Sequence, residues 1–438
     1  MNLEMSASIE DQNNIREWHI DIEEHIDIED TLEWTNQGYC IFRVPQSIRK
    51  VNEEAYTPKL ISIGPFHHGK EELAEMEKQK PRYMESFLKR ITMIKMEEIS
   101  AFVKNKEQCI RNCYAETFMV PRDEFVKMIL DDAIFIVELF WRHHKGDTSD
   151  LLQNIPVVHN ALKFDFQLLE NQLPYFVLEK VYKLAFVGPG IADNPSFMDL
   201  SYKFFGGYLF KSLPRSPMEV KHFTDLRRSV LLIKEGCFSN SRSDSRVNSN
   251  VNIGSLPCAV KLRESGVKFI GIERKDLLDI RFRKRSFFNI HDQLQIPCLE
   301  VRDETECLFR NIMALEQCYY SFDTRICNYV DMIDCLINTE RDVDLLVGKG
   351  IISNHLGDNA SVANMFNKLC SQICLSNSCY YNLCEELKAH YNNRWNKTKA
   401  KLRSVYFSNV WRGTATIAAI IILLLTILQT ICSIMQVI

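Results

Sequence analysis

His67 and His68 are the side chains whose type and setting come closest to chemistry. They stand together in the turn Gly64-Pro-Phe-His-His-Gly69, upstream of Glu75, Glu77 and Lys80. An imidazole exchanges a proton near neutral pH and a carboxylate beside it fixes its tautomer, so a His and an acid in contact could act as the general base of a hydrolase or transferase. Neighbouring residues of an extended segment point apart, however, and no Asp or Glu stands at a spacing that would orient either ring. Turn-stabilising hydrogen bonds are therefore the expectation for the cluster His67, His68, Glu77 and Lys80, with catalysis as the alternative should the fold supply a carboxylate.

The thiols offer less. Cys370, Cys374, Cys379 and Cys384 cluster, as do Cys109 and Cys113, but spacings of four or five residues lack the paired Cys-x-x-Cys geometry of a zinc knuckle. Buried structural thiols are expected, with no metal and no cofactor. The triplet Glu170-Asn-Gln172 and the pair Glu316-Gln317 end apolar helical stretches, where capping and satisfying backbone groups around Pro174 and the following turn is the plain reading. No phosphate-cradling Gly-rich loop, dinucleotide fingerprint, nucleophile elbow or paired-His zinc helix occurs, and no catalytic residue is assigned.

These residues sit on elements whose spacing is mostly helical. Residues 71–90 carry a stripe of Leu73, Met76, Tyr83, Met84, Phe87 and Leu88, and residues 123–140 place apolar side chains every three or four positions behind a capping Asp123. The apolar run 162–179 holds Pro174, which removes a backbone donor and splits the run into two helices. Residues 187–196 and 239–256, rich in Gly, Pro, Ser and Asn, read as mobile loops. A helix ending at Ser265 is closed by Gly266. Alternation over 267–272, 278–282, 287–290 and 294–301 then predicts a small antiparallel β patch. Helical spacing returns over 305–338, 342–355 and 362–403. The fold class is thus mainly α with a minor β patch: a globular helical body over 36–405.

Both ends depart from the body. Acids crowd residues 1–35, which lack the bulk for a core and read as a loosely ordered acidic arm, whereas no Asp or Glu follows Glu386. From Thr414 through Ile417, Ile420, Leu424 and Leu428 to Ile438 nothing is charged. Twenty-five helical residues reach about 37 Å, enough to cross about 30 Å of hydrocarbon. Arg394, Lys397, Lys399, Lys401, Arg403 and Arg412, interleaved with Trp395, Tyr406, Phe407 and Trp411, form an interfacial collar suited to anionic headgroups. Residues 406–438 therefore read as that collar's end and a single transmembrane helix. The basic flank, the lack of a signal peptide and 15 cysteines without framework spacing place the body in the cytosol, on the plasma membrane or an endomembrane. Membrane lipid is the expected partner of the basic residues. A net charge of only -4 on an ordinary globular composition argues against nucleic acid.

Several ordered motifs resemble the plant proteins of domain of unknown function 247. That family's pattern reads Ile-Tyr-x-Val-Pro, Tyr-x-Pro-x-x-x-Ser-Ile-Gly-Pro-Tyr-His-His-Gly and Met-Glu-x-x-Lys. Here it appears as Ile41-Phe-Arg-Val-Pro45, Tyr56-Thr-Pro-Lys-Leu-Ile-Ser-Ile-Gly-Pro-Phe-His-His-Gly69 and Met76-Glu-Lys-Gln-Lys80. Its Leu-Leu-Glu-Asn-Gln-x-Pro run matches residues 168–174, its Gly-Val-x-Phe residues 266–269, its Ile-Pro Ile296-Pro297, and its Asn-x4-Glu-Gln residues 311–317. Phe42 and Phe66 stand where Tyr is commoner, and Asp132-Ala133 replaces Asp-Gly or Asp-Cys. The resemblance implies a membrane-associated plant protein without an established enzymatic activity, some relatives being implicated in grass self-incompatibility and others in growth or stress responses. A non-enzymatic recognition or signalling module with a protein partner is the functional expectation.

Overall fold

Apolar residues recurring every three or four positions wind most of the chain into helices, as the sequence leads one to expect. The computed structural model describes residues 38–187, 194–206, 219–232, 255–273, 276–284, 292–375, 378–396, 398 and 410–437. The acidic arm, nearly all of the two loops, the proposed strand 287–290, and Lys397, Lys399, Lys401, Arg403 and Ile438 lie outside these residues.

Among the described residues, the regular elements of the first half are helices, with one isolated bridge between Ile41 and Tyr114. Short turns at Gln46–Arg49, Glu53–Tyr56, Glu71–Leu73 and Ala74–Glu77 precede α1 (Gln79–Leu88), so the stripe over 71–90 is three pieces rather than one helix. There follow α2 (Met93–Arg111), α3 (Arg122–Lys145), α4 (Pro156–Asp165), α5 (Tyr175–Phe186), α6 (Phe197–Phe205) and α7 (Phe223–Leu231). Helix α3 is the axis: α1, α2, α5 and α6 all pack on it, and Phe125, Ile129, Ala133, Ile136 and Phe140 are wholly buried. Each such Ile or Phe contributes about 1.5–3 kcal/mol of transfer free energy, so one face of α3 can organise this half. Its start differs from expectation. Pro121 precedes it without a side-chain cap, and Asp123 lies inside the first turn, where its charge complements the helix dipole. Pro174 does break the 162–179 run, standing immediately before α5.

The second half adds small sheets. Helix α8 (Ala259–Glu264) ends as expected at Gly266, whose φ is 100°. Strands β1 (Lys268–Ile272), β2 (Arg281–Arg283), β3 (Gln293–Pro297) and β4 (Leu299–Val301) lead into α9 (Thr305–Cys318), α10 (Arg325–Leu336), α11 (Glu340–Gly348), β5 (Ile352–Asn354), α12 (Asn359–Leu369) and α13 (Tyr381–Asn392). The β patch is not wholly antiparallel. In the order β1-β3-β2, β3 runs parallel to β1 and antiparallel to β2, while β4 pairs in parallel with β5. Residues 294–301 divide at Cys298, whose N–H donates to Ile272 O at 3.1 Å, so the two halves serve different sheets. The helical spacing over 342–355 stops at Gly348, and that over 362–403 is interrupted near Gln372, at φ 65°.

Each half has its own apolar core. A small third cluster lies between them, in which Val44, Ile48, Tyr56 and Leu169 meet Ala314 and Leu315 of α9. Beyond the body, α14 (Val410–Val437) carries the apolar stretch Ile417–Met435, of mean hydropathy 2.6 and none of it buried. Its 19 residues rise about 28 Å, close to the hydrocarbon thickness of a bilayer.

Candidate functional site

The motif residues converge on one extended segment, 59–67, and tie it down from both sides. Three successive N–H groups, of Lys59, Leu60 and Ile61, donate to the buried Asp165 carboxylate at 3.0, 2.7 and 2.8 Å. The Ile63 N–H donates to Asn171 Oδ1 at 2.7 Å, and Asn171 Nδ2 returns a bond to Ile61 O at 3.0 Å. The Gly64 N–H donates to Asp132 Oδ2 at 2.8 Å. The segment has no ladder partner, so side chains from α3, α4 and the 168–174 run satisfy backbone groups that would otherwise be orphaned in the core. Gly64 is required at this point. Its φ is +71°, and a Cβ there would stand 2.6 Å from Gln172 O.

Lys80 and Glu77 belong to a knot around Asp132. Lys80 Nζ lies 2.5 Å from Asp132 Oδ1 and 2.7 Å from Glu77 Oε2, and donates to Ser62 O at 2.8 Å. Burial disfavours the Lys80 charge, but Asp132 and Glu77 outweigh it and hold its pKa above the ordinary amine value. His67 belongs to a second knot. Its Nε2 stands 3.3 Å from Glu170 Oε2 without the alignment of a hydrogen bond, and neither ring nitrogen has a hydrogen-bond partner. Glu170 Oε1 accepts from Val44 N and Arg49 Nη1, both at 2.8 Å. Burial lowers the His67 pKa, and although burial opposes ionisation of Glu170, His67 and Arg49 keep its pKa below the ordinary value.

No acid near in sequence meets either imidazole, as expected, but the fold brings Glu170 from a distant segment to 3.3 Å from His67. His68 is exposed and joins neither knot, as side chains pointing apart require. Glu170, Asn171 and Gln172 do more than cap. Gln172 Nε2 donates to Phe166 O and Leu168 O at 2.6 and 2.7 Å, and its Oε1 accepts from Phe223 N at 2.9 Å, joining the run to α7. Glu316 accepts from Arg228 Nε at 2.9 Å and from Ile326 N and Cys327 N at 3.1 and 2.8 Å.

This polar centre is closed. His67 is 1% exposed and Glu170 1%, so no substrate reaches the pair while the body is folded. An open cleft of about 740 Å³ lies instead between the two halves, where Lys59, Lys163 and Arg227 face Glu300, Arg302 and Glu304. Burial, then the nearby Arg227 charge, lowers the Lys163 pKa, and burial brings Arg227 down to about 10. Charges of both signs fixed on facing walls can orient a polar ligand, but the described lining holds no cysteine or serine nucleophile. No group of three or more His, Cys, Asp or Glu is arranged to hold a metal among the described residues.

Asp132, Asp165, Arg49 and Asn311 were not singled out as site residues from sequence, yet Asp132 and Asn311 carried a signal. A carboxylate or amide at a core position of an apolar helix must be satisfied by something, as Asp132 and Asn311 are. Among the span residues, Thr414, Ile417, Ile420, Leu424 and Leu428 are exposed on α14. Of the collar, Arg394 is exposed after α13, while Trp411 and Arg412 open α14.

A two-core helical body with small sheets, an interior polar staple and an apolar C-terminal helix defines the class of protein. The family signature of DUF247, plant protein of unknown function, matches residues 41–425, and the chain belongs to that family. It is 30% identical to the Arabidopsis thaliana UPF0481 protein At3g47200 over 90% of this chain and 86% of that one. It is 22% identical to the putative UPF0481 protein At3g02645 of the same plant, over 94% and 93%. No solved structure matches.

Proposed function

We propose that this chain is a tail-anchored, non-enzymatic recognition module, held in a membrane by α14 with its body on the cytosolic face. The observation that carries the reading is the contrast between α14 and the body: Ile417–Met435 buries nothing against the chain, while the polar motif groups are spent inside it. Unpaired apolar side chains along 19 residues call for lipid, and the basic residues from Arg394 to Arg412 favour the cytosolic leaflet with its anionic headgroups. Closed motif knots leave the outer surface, including the charged cleft between the halves, to meet a protein partner. Sealed vesicles carrying the full chain with an N-terminal epitope test this: added protease removes the epitope and leaves a protected C-terminal fragment. An epitope that survives until detergent is added overturns the orientation.

One contact favours a second reading, a membrane-bound hydrolase or transferase. His67 lies beside Glu170, the pairing a general base needs. That reading requires the interior to open, since both groups are sealed from solvent.

A further inference from the structure

Cys40 and Cys113 meet where the first described segment of the body runs past the end of α2. Ile41 and Tyr114 form a parallel bridge, and the N–H groups of Cys40 and Ile41 both donate to Cys113 O at 2.9 Å. The Ala115 N–H returns a bond to Ile41 O at 3.0 Å. This register sets Cys40 beside Cys113 at the spacing of paired backbones, within the range of separations that a disulfide spans. The Cys113 thiol donates to Cys109 O at 3.3 Å, and the Cys40 thiol is its nearest titratable neighbour. The Cys40 backbone is pinned by His222 Nε2, 2.9 Å from Cys40 O, and the Tyr114 side chain beside Cys113 is held by its hydroxyl, which donates to Gln172 O at 2.9 Å. Cys113, 9% exposed, lies nearer the surface than Cys40 at 5%.

We propose that Cys40 and Cys113 form a reversible disulfide by exchange with a low-molecular-weight disulfide such as oxidised glutathione. Cys113 loses its proton, and its thiolate attacks one sulfur of the oxidant, forming a mixed disulfide and expelling one glutathione thiolate. Cys40 then loses its proton and attacks the Cys113 sulfur, closing the Cys40–Cys113 bond and expelling the second thiolate. The cysteine pair is oxidised by two electrons, one oxidised glutathione is reduced to two thiols, and the two protons released end on them. The order follows from the site. Cys113 is the more exposed of the two, and the neighbouring Cys40 thiol and the charge of Lys221 hold its pKa below the ordinary thiol value against the effect of burial. The neighbouring Cys113 thiol and burial push Cys40 up, and Cys40, the more buried of the two, attacks second.

The bond would cross-link the segment carrying Val44 to the end of α2, closing a long loop of chain and so restricting the unfolded state. In a reducing compartment the thiols persist; an oxidising shift locks this edge of the body.

The test treats the full chain, in vesicles or detergent, with oxidised glutathione, followed by non-reducing digestion and mass spectrometry. A linked Cys40–Cys113 peptide is the expected main disulfide, with a raised Tm that falls back on adding reductant. Cys40→Ser accumulates glutathione on Cys113, whereas Cys113→Ser leaves Cys40 unmodified. The exposed Cys109 and Cys374 are internal controls. If they carry glutathione while Cys40 and Cys113 remain thiols, or if Cys113 pairs with Cys109, the proposal fails. The parent-chain mapping decides the matter even if a variant does not fold.

Discussion

The Leu169 N–H donates to Asn311 Oδ1 at 2.9 Å across 142 residues, at the junction of the two apolar cores. The same amide donates through Nδ2 to Ala55 O at 2.7 Å, so one side chain of α9 holds two segments of the first half. Removing it strands the buried Leu169 N–H, while Ala55 O keeps only the Cys307 thiol, at 3.3 Å. Asn311→Ala is expected to cost about 1–3 kcal/mol in urea denaturation, the range for one unsatisfied buried group. A loss under about 0.5 kcal/mol would mean that Asn311 does not hold the halves together.

Lys80 and Asp132 form an ion pair in which both side chains are nearly inaccessible, at 4% and 2% exposed. Breaking such a pair from one side leaves a buried charge without compensation. Lys80→Met is expected to destabilise by about 3–5 kcal/mol, and adding Asp132→Asn to restore much of the loss because the amide still accepts from Gly64 N. Equal losses in the single and double variants would show that the two residues do not act as a pair.

Gly64→Ala meets both a left-handed backbone and Gln172 O. Strain alone is expected to cost about 1–3 kcal/mol, with the clash adding to it. Calorimetry on the variant checks this; an unchanged Tm would contradict the close approach of the 59–67 segment to the 168–174 run.

Asp331 and Asp334 lie one turn apart on α10, half-buried, with neither a hydrogen bond nor an ion pair to their carboxylates among the described residues. Burial pushes Asp331 up to about 6, and burial plus the Asp331 charge does the same to Asp334. An acid whose pKa is higher folded than unfolded binds its proton preferentially in the folded state. Its stabilising contribution is full below about pH 4 and is lost as pH climbs through about 6. Asp334→Asn should therefore be more stable than the parent at pH 7 and lose that advantage by pH 4. His222, held down at about 4 by burial, acts in the opposite sense over this window, so variant and parent are compared at each pH. Parallel stability curves would show that the carboxylate is solvated.

Sequence made local features legible where one residue decides the geometry. Pro174 splits its run, Gly266 closes α8, and uninterrupted apolar spacing makes α3 and α14. It did not reveal pairings that depend on distant segments. Glu170 reaches Val44 across 126 residues and Asp165 reaches Leu60 across 105, and nothing in the spacing of either chain stretch encodes the other. The three-residue strand β5 is equally invisible, because its apolar pattern is too short to separate from the end of α11. The His67 cluster was legible as polar but not as two closed knots, since that distinction rests on burial.

The anchor is tested most directly by washing vesicles that carry the full chain with alkaline carbonate, floating them on a density gradient, and running a chain ending at Gly413 alongside. The full chain is expected to rise with the lipid and the shortened one to stay at the bottom. If both rise equally, or if carbonate strips the full chain away, α14 is not what holds this protein to a membrane.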